Sequence, residues 1–178
     1  MIISSLDLIE QKDYKKLVDL FLVIDKFASN WGIVGGIPRE YFITNKKLKT
    51  KELDILIEDL KRENLVKKII DFLINSYKEE ITYSVYHDRF LTGNIRFRGY
   101  NIDIITARKE EYPTPACLPI VSPANLYQDL LRRDITINSI LFKKSYQKDN
   151  IFYFEVIDIL NSIEDIKKKI SILYMIIH

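Results

Sequence analysis

Apolar side chains recur at helical spacing near the start of the chain: Leu6, Ile9, Leu17, Leu20, Phe21, Ile24 and Phe27. This period predicts an amphipathic helix over about 6–27. Trp31-Gly32-Ile33-Val34 then reads as a short buried strand broken by Gly35-Gly36, and a short helix is expected next with Pro38 in its first turn. Residues 45–51 form a basic loop, 52–58 a second strand, and 61–77 a helix with Leu65, Ile69, Phe72 and Leu73 on one face. Three β segments are expected near 81–87, 90–98 and 101–106, with Asn94 and Gly99 marking turns. Pro113, Pro115, Pro119 and Pro123 define an irregular stretch, followed by a helix over 124–131, strands over 135–142 and 152–157, and a final helix from 164. The order predicts an α+β fold, a mixed sheet covered by helices rather than a regular βαβ array.

Composition narrows this picture only slightly. The chain has 178 residues, enough for one domain with a real core, and 47% apolar with 29% charged residues is a globular balance. A net charge of +2 gives no general affinity for nucleic acid, so an RNA-binding surface would have to come from local patches. One such patch is the run Lys46, Lys47, Lys49 and Lys51, which suits RNA phosphates or a solvated loop. The single cysteine, Cys117, excludes an intrachain disulfide, and with His87 it is too isolated to make a zinc site. No apolar run approaches the roughly 18 residues that span a bilayer, and Met1–Ser5 is not a basic region ahead of an apolar core. A cytoplasmic protein with no membrane partner is expected. No tyrosine is singled out by the sequence as a platform for bases.

The chemistry lies in the carboxylates. In Lys51-Glu52-Leu53-Asp54-Ile55-Leu56-Ile57, residues two apart share a strand face about 7 Å apart, so Glu52 and Asp54 point one way and Leu53, Ile55 and Ile57 the other. Two neighbouring carboxylates repel unless a cation joins them, and oxygen-only ligands suit Mg²⁺. The same pattern also fits an edge strand with a polar face. Asp103, in Tyr100-Asn101-Ile102-Asp103-Ile104-Ile105, adds a third acid inside an apolar run. If its strand lies beside that of Glu52, three carboxylates converge, an arrangement that holds two metal ions about 3.5–4 Å apart. Gly35-Gly36 stands between a strand and a helix, where backbone N–H groups can receive phosphate oxygens, and Arg39 lies about one turn further on. There is no G-x-x-x-x-G-K-[ST] and no G-x-G-x-x-G, so a P-loop or a dinucleotide fold has no support.

Taken together, these segments resemble one family. Val34-Gly35-Gly36-Ile37-Pro38-Arg39 is similar to the Gly-Gly-x-x-Arg signature of class II tRNA nucleotidyltransferases (CCA-adding enzymes) and bacterial poly(A) polymerases. Glu52-Leu53-Asp54 resembles their paired metal-binding acids, and the segment from Asp103 to Tyr112 the one that carries their third. Asp129-Leu130-Leu131-Arg132-Arg133-Asp134-Ile135-Thr136-Ile137-Asn138 resembles the block that contacts ribose and triphosphate, and Val156-Ile157-Asp158 with Ile163-Glu164-Asp165-Ile166 the segment closing the head domain. The likeness runs from about Ile33 to Ile170.

The resemblance implies a DNA polymerase beta-like nucleotidyltransferase palm with flanking helices. It implies Mg²⁺-dependent transfer of a nucleoside monophosphate from ATP or CTP to an RNA 3′ end, that of tRNA above all. Glu52, Asp54 and Asp103 would be catalytic and hold metal. Gly35, Gly36, Arg39, Arg132, Arg133, Asp134 and Asn138 would bind the nucleotide, with Asp134 and Asn138 on the ribose. On their own, the two arginines could equally complement a helix C-terminus, with Asp134 in a turn. The family usually has Asp where Glu52 stands, and Val and Asp where Pro38 and Glu40 flank Arg39. The longer glutamate could move a metal by about an ångström, a misplacement that can cost on the order of 100-fold in rate.

Residues 1–30 are expected to form a helix packed on a head at 31–170, and the apolar tail 171–178 either to pack on its own sheet or to begin a neck or form an interface with a partner subunit or second copy. A binding module with weakened catalysis, and a catalytic subunit that needs a partner, remain alternatives. The assigned nucleotide contacts all address phosphate or sugar, and none addresses a base edge. The 178-residue chain is therefore expected to bind ATP, CTP, GTP and UTP within about a factor of ten, about 1.4 kcal/mol, and to disfavour dATP more clearly. Isothermal titration measures this; selectivity above about 100-fold for one base would contradict it.

Overall fold

The computed structural model describes residues 1–44, 47, 51–114, 117–133 and 135–169. The chain opens with a short strand β1 (Ile2–Ser4), one turn of helix α1 (Ser5–Leu8) and the long helix α2 (Gln11–Phe27). Strand β2 (Trp31–Val34), helix α3 (Gly36–Thr44), strand β3 (Glu52–Ile57) and helix α4 (Leu65–Ser76) follow. Then come β4 (Ile81–His87), β5 (Thr92–Phe97), β6 (Tyr100–Thr106), β7 (Arg108–Glu111) and β8 (Ile120–Pro123). Helix α5 (Leu126–Leu131), strands β9 (Ile140–Lys148) and β10 (Ile151–Asp158), and helix α6 (Ser162–Lys168) complete the described chain.

Eight strands form one mixed sheet in the order β1-β10-β9-β2-β3-β6-β5-β4, and β7 pairs with β8 separately. Within the large sheet β3 and β6 run parallel, and the remaining pairs are antiparallel. Alternation divides its faces. Leu53, Ile55 and Ile57 of β3, and Ile102 and Ile104 of β6, join the main core with α2 and α4. Phe21 of α2 stands at its centre, with ring centroids 5.7 Å from Trp31, 5.7 Å from Phe152 and 6.4 Å from Phe154. The opposite face carries a smaller cluster in which Leu126 and Leu130 of α5 cover Val34, Leu56, Ala107 and Leu141. That cover reaches only one end of the face; Glu52 and Asp103, nearer the N-terminal ends of β3 and β6, stay exposed.

Local hydrogen bonding explains where elements depart from the sequence pattern. The helix expected over 6–27 is broken. The Ser4 hydroxyl accepts from the Asp7 N–H at 3.2 Å and the Asp7 carboxylate accepts from the Ser4 N–H at 3.0 Å, which starts a separate turn. Ile9 (φ −125°, ψ 139°) then ends that turn and is itself buried. The helix expected from 61 begins at Leu65, because the buried Asp59 carboxylate accepts from the N–H groups of Glu63 (2.9 Å) and Leu65 (3.1 Å). The strand expected from 135 starts at Ile140, after a 3₁₀ turn over Thr136–Asn138. There the buried Thr136 hydroxyl donates to Asp165 at 2.7 Å, and the Ser162 hydroxyl donates to the Thr136 carbonyl at 2.6 Å.

Gly99 marks a turn as expected, with φ +81° after Arg98 at φ +48°, the two-residue left-handed pair suited to a tight hairpin. Arg98 is held there by Asp19 at 2.6 Å and by the Glu80 carboxylate. Asn94, by contrast, lies inside β5 rather than in a turn. The proline-rich stretch read as irregular contains β8, and the strand β1 at the sheet edge has too few residues to announce itself by periodicity. Among the described residues no helix is long and apolar enough to cross a membrane.

Phe21→Ala is expected to cost about 3–5 kcal/mol of stability, because Phe21 is fully buried among four aromatic rings. Leu22→Ala, next to it on the solvent side, is expected to cost about 1 kcal/mol or less. Urea denaturation of the two variants measures the contrast.

Candidate active site

Parallel pairing of β3 with β6 sets Asp54 directly beside Asp103 and Glu52 beside Asn101. Their side chains therefore share the face away from the main core. Strand β5 extends the same rows, with Asn94 opposite Asp103 and Arg96 opposite Asn101. The Asn94 amide donates to Asp103 Oδ1 at 2.5 Å and fixes the orientation of that carboxylate. These residues, with Tyr83, line an open cavity of about 550 Å³.

Asp54 is the most strained of the three acids. Burial pushes its pKa above the ordinary carboxylate value, and the negative charges of Asp103 and Glu52 push the same way. The Arg133 charge and a hydrogen bond from the Gly36 backbone N–H oppose them. Gly35 makes this approach possible. It sits at φ +74°, and a Cβ there would overlap Asp54 Oδ2. The chain can thus pass over the carboxylate and enter α3 with the Gly36 N–H facing the site.

A second cavity of about 360 Å³ lies on the other side of Glu52 and Asp54, which line both. Its remaining walls are Gly35, Gly36, Arg39, Glu40, Arg133 and Asn138. Arg39 Nη1 donates to Asn138 Oδ1 at 2.5 Å, joining α3 to the 3₁₀ turn. Arg133 donates through Nε (3.2 Å) and Nη2 (2.9 Å) to Asp129 Oδ2, and through Nη1 to the Asn138 carbonyl at 3.4 Å. A cleft with paired carboxylates on one wall and two guanidinium groups beside a helix N-terminus suits a polyanion carrying a transferable group.

Not every residue singled out in the sequence reaches these cavities. Arg132 lines neither of them. Its guanidinium bridges Asp129 Oδ1 (2.7 Å) and Glu110 Oε1 (3.0 Å). Asp134, Lys46, Lys49 and the tail 171–178 fall outside the described residues, while Lys47 and Lys51 are exposed. Asp129, which sequence reasoning passed over, is fully buried and receives both arginines and the Arg108 N–H at 3.2 Å. The signal for it was an acid three and four residues ahead of two arginines on a short helix. Asn94 and Arg96 could have been found from the polar alternation in β5, once Asn94 is read as a strand residue.

The three acids offer oxygen donors only, and Asp54 is held under repulsion that a cation would relieve, which fits a hard divalent ion. They line one cavity but stand spread along its wall: among the described residues no three acidic, histidine or cysteine side chains close on a single point.

An A-adding tRNA nucleotidyltransferase of Aquifex aeolicus strain VF5 is 35% identical over 81 residues, covering 46% of this chain and 9% of that protein. An A-adding tRNA nucleotidyltransferase of Geobacter sulfurreducens is 34% identical over 84 residues, covering 47% of this chain and 9% of that protein. The chain thus spans about a tenth of the length of these relatives. A solved CCA-adding enzyme structure in an apo form superposes with a TM-score of 0.68 at 26% identity, covering 93% of this chain and 36% of that one. The α+β mixed sheet expected from the sequence is the sheet of a nucleotidyltransferase palm. The poly A polymerase head domain model matches residues 31–171, a span that contains both cavities and all the strands between them, and on that match the chain belongs to the poly A polymerase head domain family.

Proposed function

We propose that this chain transfers a nucleoside monophosphate from ATP or CTP to the 3′ hydroxyl of an RNA, a tRNA 3′ end being the substrate best supported by its relatives. The observation that carries this reading is the in-register pairing of Asp54 with Asp103, where Asp54, with Glu52, stands on the wall that two cavities share. One cavity offers phosphate ligands and the other is open to a second substrate, so the reacting groups would meet at the acids between them.

In this reading the Gly36 N–H and the guanidinium groups of Arg39 and Arg133 bind the triphosphate, as charge-assisted donors fixed before the substrate arrives. Asn138 gives its side-chain oxygen to Arg39, which leaves its amide N–H groups to donate to a ribose hydroxyl. Arg132 acts from behind, helping Asp129 to hold its place and so to aim Arg133. Glu52, Asp54 and Asp103 would hold Mg²⁺, whose Lewis acidity favours ionisation of the RNA hydroxyl and neutralises charge on the departing pyrophosphate. Asn94 keeps Asp103 turned toward the cavity.

Labelled ATP or CTP, Mg²⁺ and tRNA lacking its 3′ end, incubated with the purified chain, are expected to yield labelled RNA; none formed with either nucleotide would overturn the proposal. Asp54→Asn is expected to lower incorporation at least about 100-fold without lowering the melting temperature. The raised pKa means that the folded chain holds this proton to higher pH than the unfolded chain does. Stability therefore falls as pH rises from the unfolded pKa to the folded one, and the ionised group carries a fixed penalty above it. Asparagine removes that penalty, so thermal melting near pH 7 without metal should give an equal or higher midpoint.

The two adjacent arginines should separate in kinetics. Arg133→Ala is expected to raise the nucleotide KM about tenfold or more, about 1.4 kcal/mol. Arg132→Ala is expected to cost about 1–3 kcal/mol of stability by leaving buried Asp129 short of a partner, with a smaller change in nucleotide KM. Steady-state kinetics and urea denaturation on both variants provide the comparison.

A further inference from the structure

Of the side chains lining the larger cavity, the nucleotide reading leaves three unused: Tyr83, Arg96 and Asn101. Tyr83 of β4 and Arg96 of β5 are opposite each other in register. Arg96 is in turn opposite Asn101 of β6, and Asn101 opposite Glu52 of β3. One row of side chains therefore crosses the sheet from Glu52 through Asn101 and Arg96 to Tyr83, beside the row Asp54, Asp103 and Asn94. Adjacent strands lie about 4.8 Å apart, so the row leads outward from the acids in steps of that size.

Three features mark Tyr83 and Arg96 as more than sheet surface. First, the pairing of β4 with β5 shifts between Ile81 and Tyr83. Ile81 is opposite Phe97, a main-core residue, so simple alternation would turn Tyr83 inward as well; the irregularity turns it onto the face of the acids instead. Second, Tyr83 is 54% exposed although it lines the cavity. Third, among the described residues, the Arg96 guanidinium has no hydrogen bond or ion pair and is the one cationic group lining this cavity. An aromatic face beside an unpaired guanidinium is what a single-stranded nucleic acid requires, stacking for a base and charge for a phosphate.

We propose that Tyr83 and Arg96 form the subsite for the 3′-terminal nucleotide of the acceptor RNA, with Tyr83 stacking on its base and Arg96 holding the phosphate on its 5′ side. The proposal rests on the nucleotidyl-transfer reading and adds to it which residues receive the acceptor. The nucleotide occupies the smaller cavity, the acceptor enters the larger one along the β4–β5 edge, and its 3′ hydroxyl reaches the acids that divide them. Stacking tolerates any base, so this subsite holds the acceptor end without reading its sequence.

Two measurements test this. In steady-state kinetics, Tyr83→Ala and Arg96→Ala are each expected to raise the KM for acceptor RNA about tenfold and to leave the KM for ATP within about twofold. Tyr83→Phe should retain the wild-type value, because the ring rather than the hydroxyl is used. Arg96→Ala should also lower the salt dependence of RNA binding by about one unit of slope. Unchanged acceptor KM in both alanine variants would overturn the subsite while leaving nucleotidyl transfer intact. The second measurement does not need catalysis: a short RNA with a 3′-terminal 4-thiouridine is photocrosslinked to the chain and the adduct mapped. Crosslinking within 81–98 that is lost in Tyr83→Ala supports the subsite even if no transfer is detected, in which case the function rather than the subsite fails. Crosslinking confined to other segments, or none with the wild-type chain, overturns it.

Discussion

The site depends on one costly juxtaposition, two aspartates side by side on parallel strands. Asp54 and Asp103 are opposite in register, with Glu52 two residues along the same strand. Nothing in β-sheet energetics favours this, since like charges directly opposite destabilise a pair. What holds the strands in place is the other face, where Leu53, Ile55, Ile57, Ile102 and Ile104 are buried in the main core. A slip of one residue would send all of these into water. The apolar face thus fixes the register, and the polar face inherits the repulsion.

A similar division of work governs the smaller cavity. Arg133 reaches the smaller cavity from a buried carboxylate, Asp129, which Arg132 and the Arg108 backbone also satisfy. The pair of arginines is adjacent in sequence but not equivalent in space. One guanidinium lines the cleft, and the other ties helix α5 to Glu110 on β7. Arg39 is steadied from a third direction by Asn138, whose 3₁₀ turn is pinned to α6 through Thr136, Asp165 and Ser162. Elements far apart in sequence therefore hold both guanidinium groups of this cavity in place.

Much of this was legible from the chain alone because it follows from period. The i, i+2 acids in β3 and the lone acid in β6 had to share a face if the strands were neighbours, and the apolar residues between them required burial. The break of α1 from α2, the late start of α4 and the 3₁₀ turn before β9 were not legible. Each is decided by a side chain that bonds to backbone N–H or carbonyl groups, which apolar spacing does not report. Asn94 looked like a turn residue because its type favours turns, yet its side chain is engaged across strands by Asp103. Arg132 and Arg133 could not be told apart, because their separation depends on where Asp129 is buried. Tyr83 was hidden for a further reason: a shift in pairing reversed the face that alternation assigns to it.

The two glycines at the start of α3 look interchangeable as letters, but the backbone sets them apart. At position 35 any side chain meets both an unfavourable φ of +74° and the carboxylate of Asp54. At position 36 the nearest obstacle to a Cβ is the mobile end of Arg39, 3.9 Å away. A Cβ is therefore sterically admitted at the second position and excluded at the first, by the backbone and, while an acid stands at position 54, by its carboxylate as well. Replacing that acid with a smaller side chain would lift only the steric half of the constraint, since the left-handed backbone at position 35 would still select glycine.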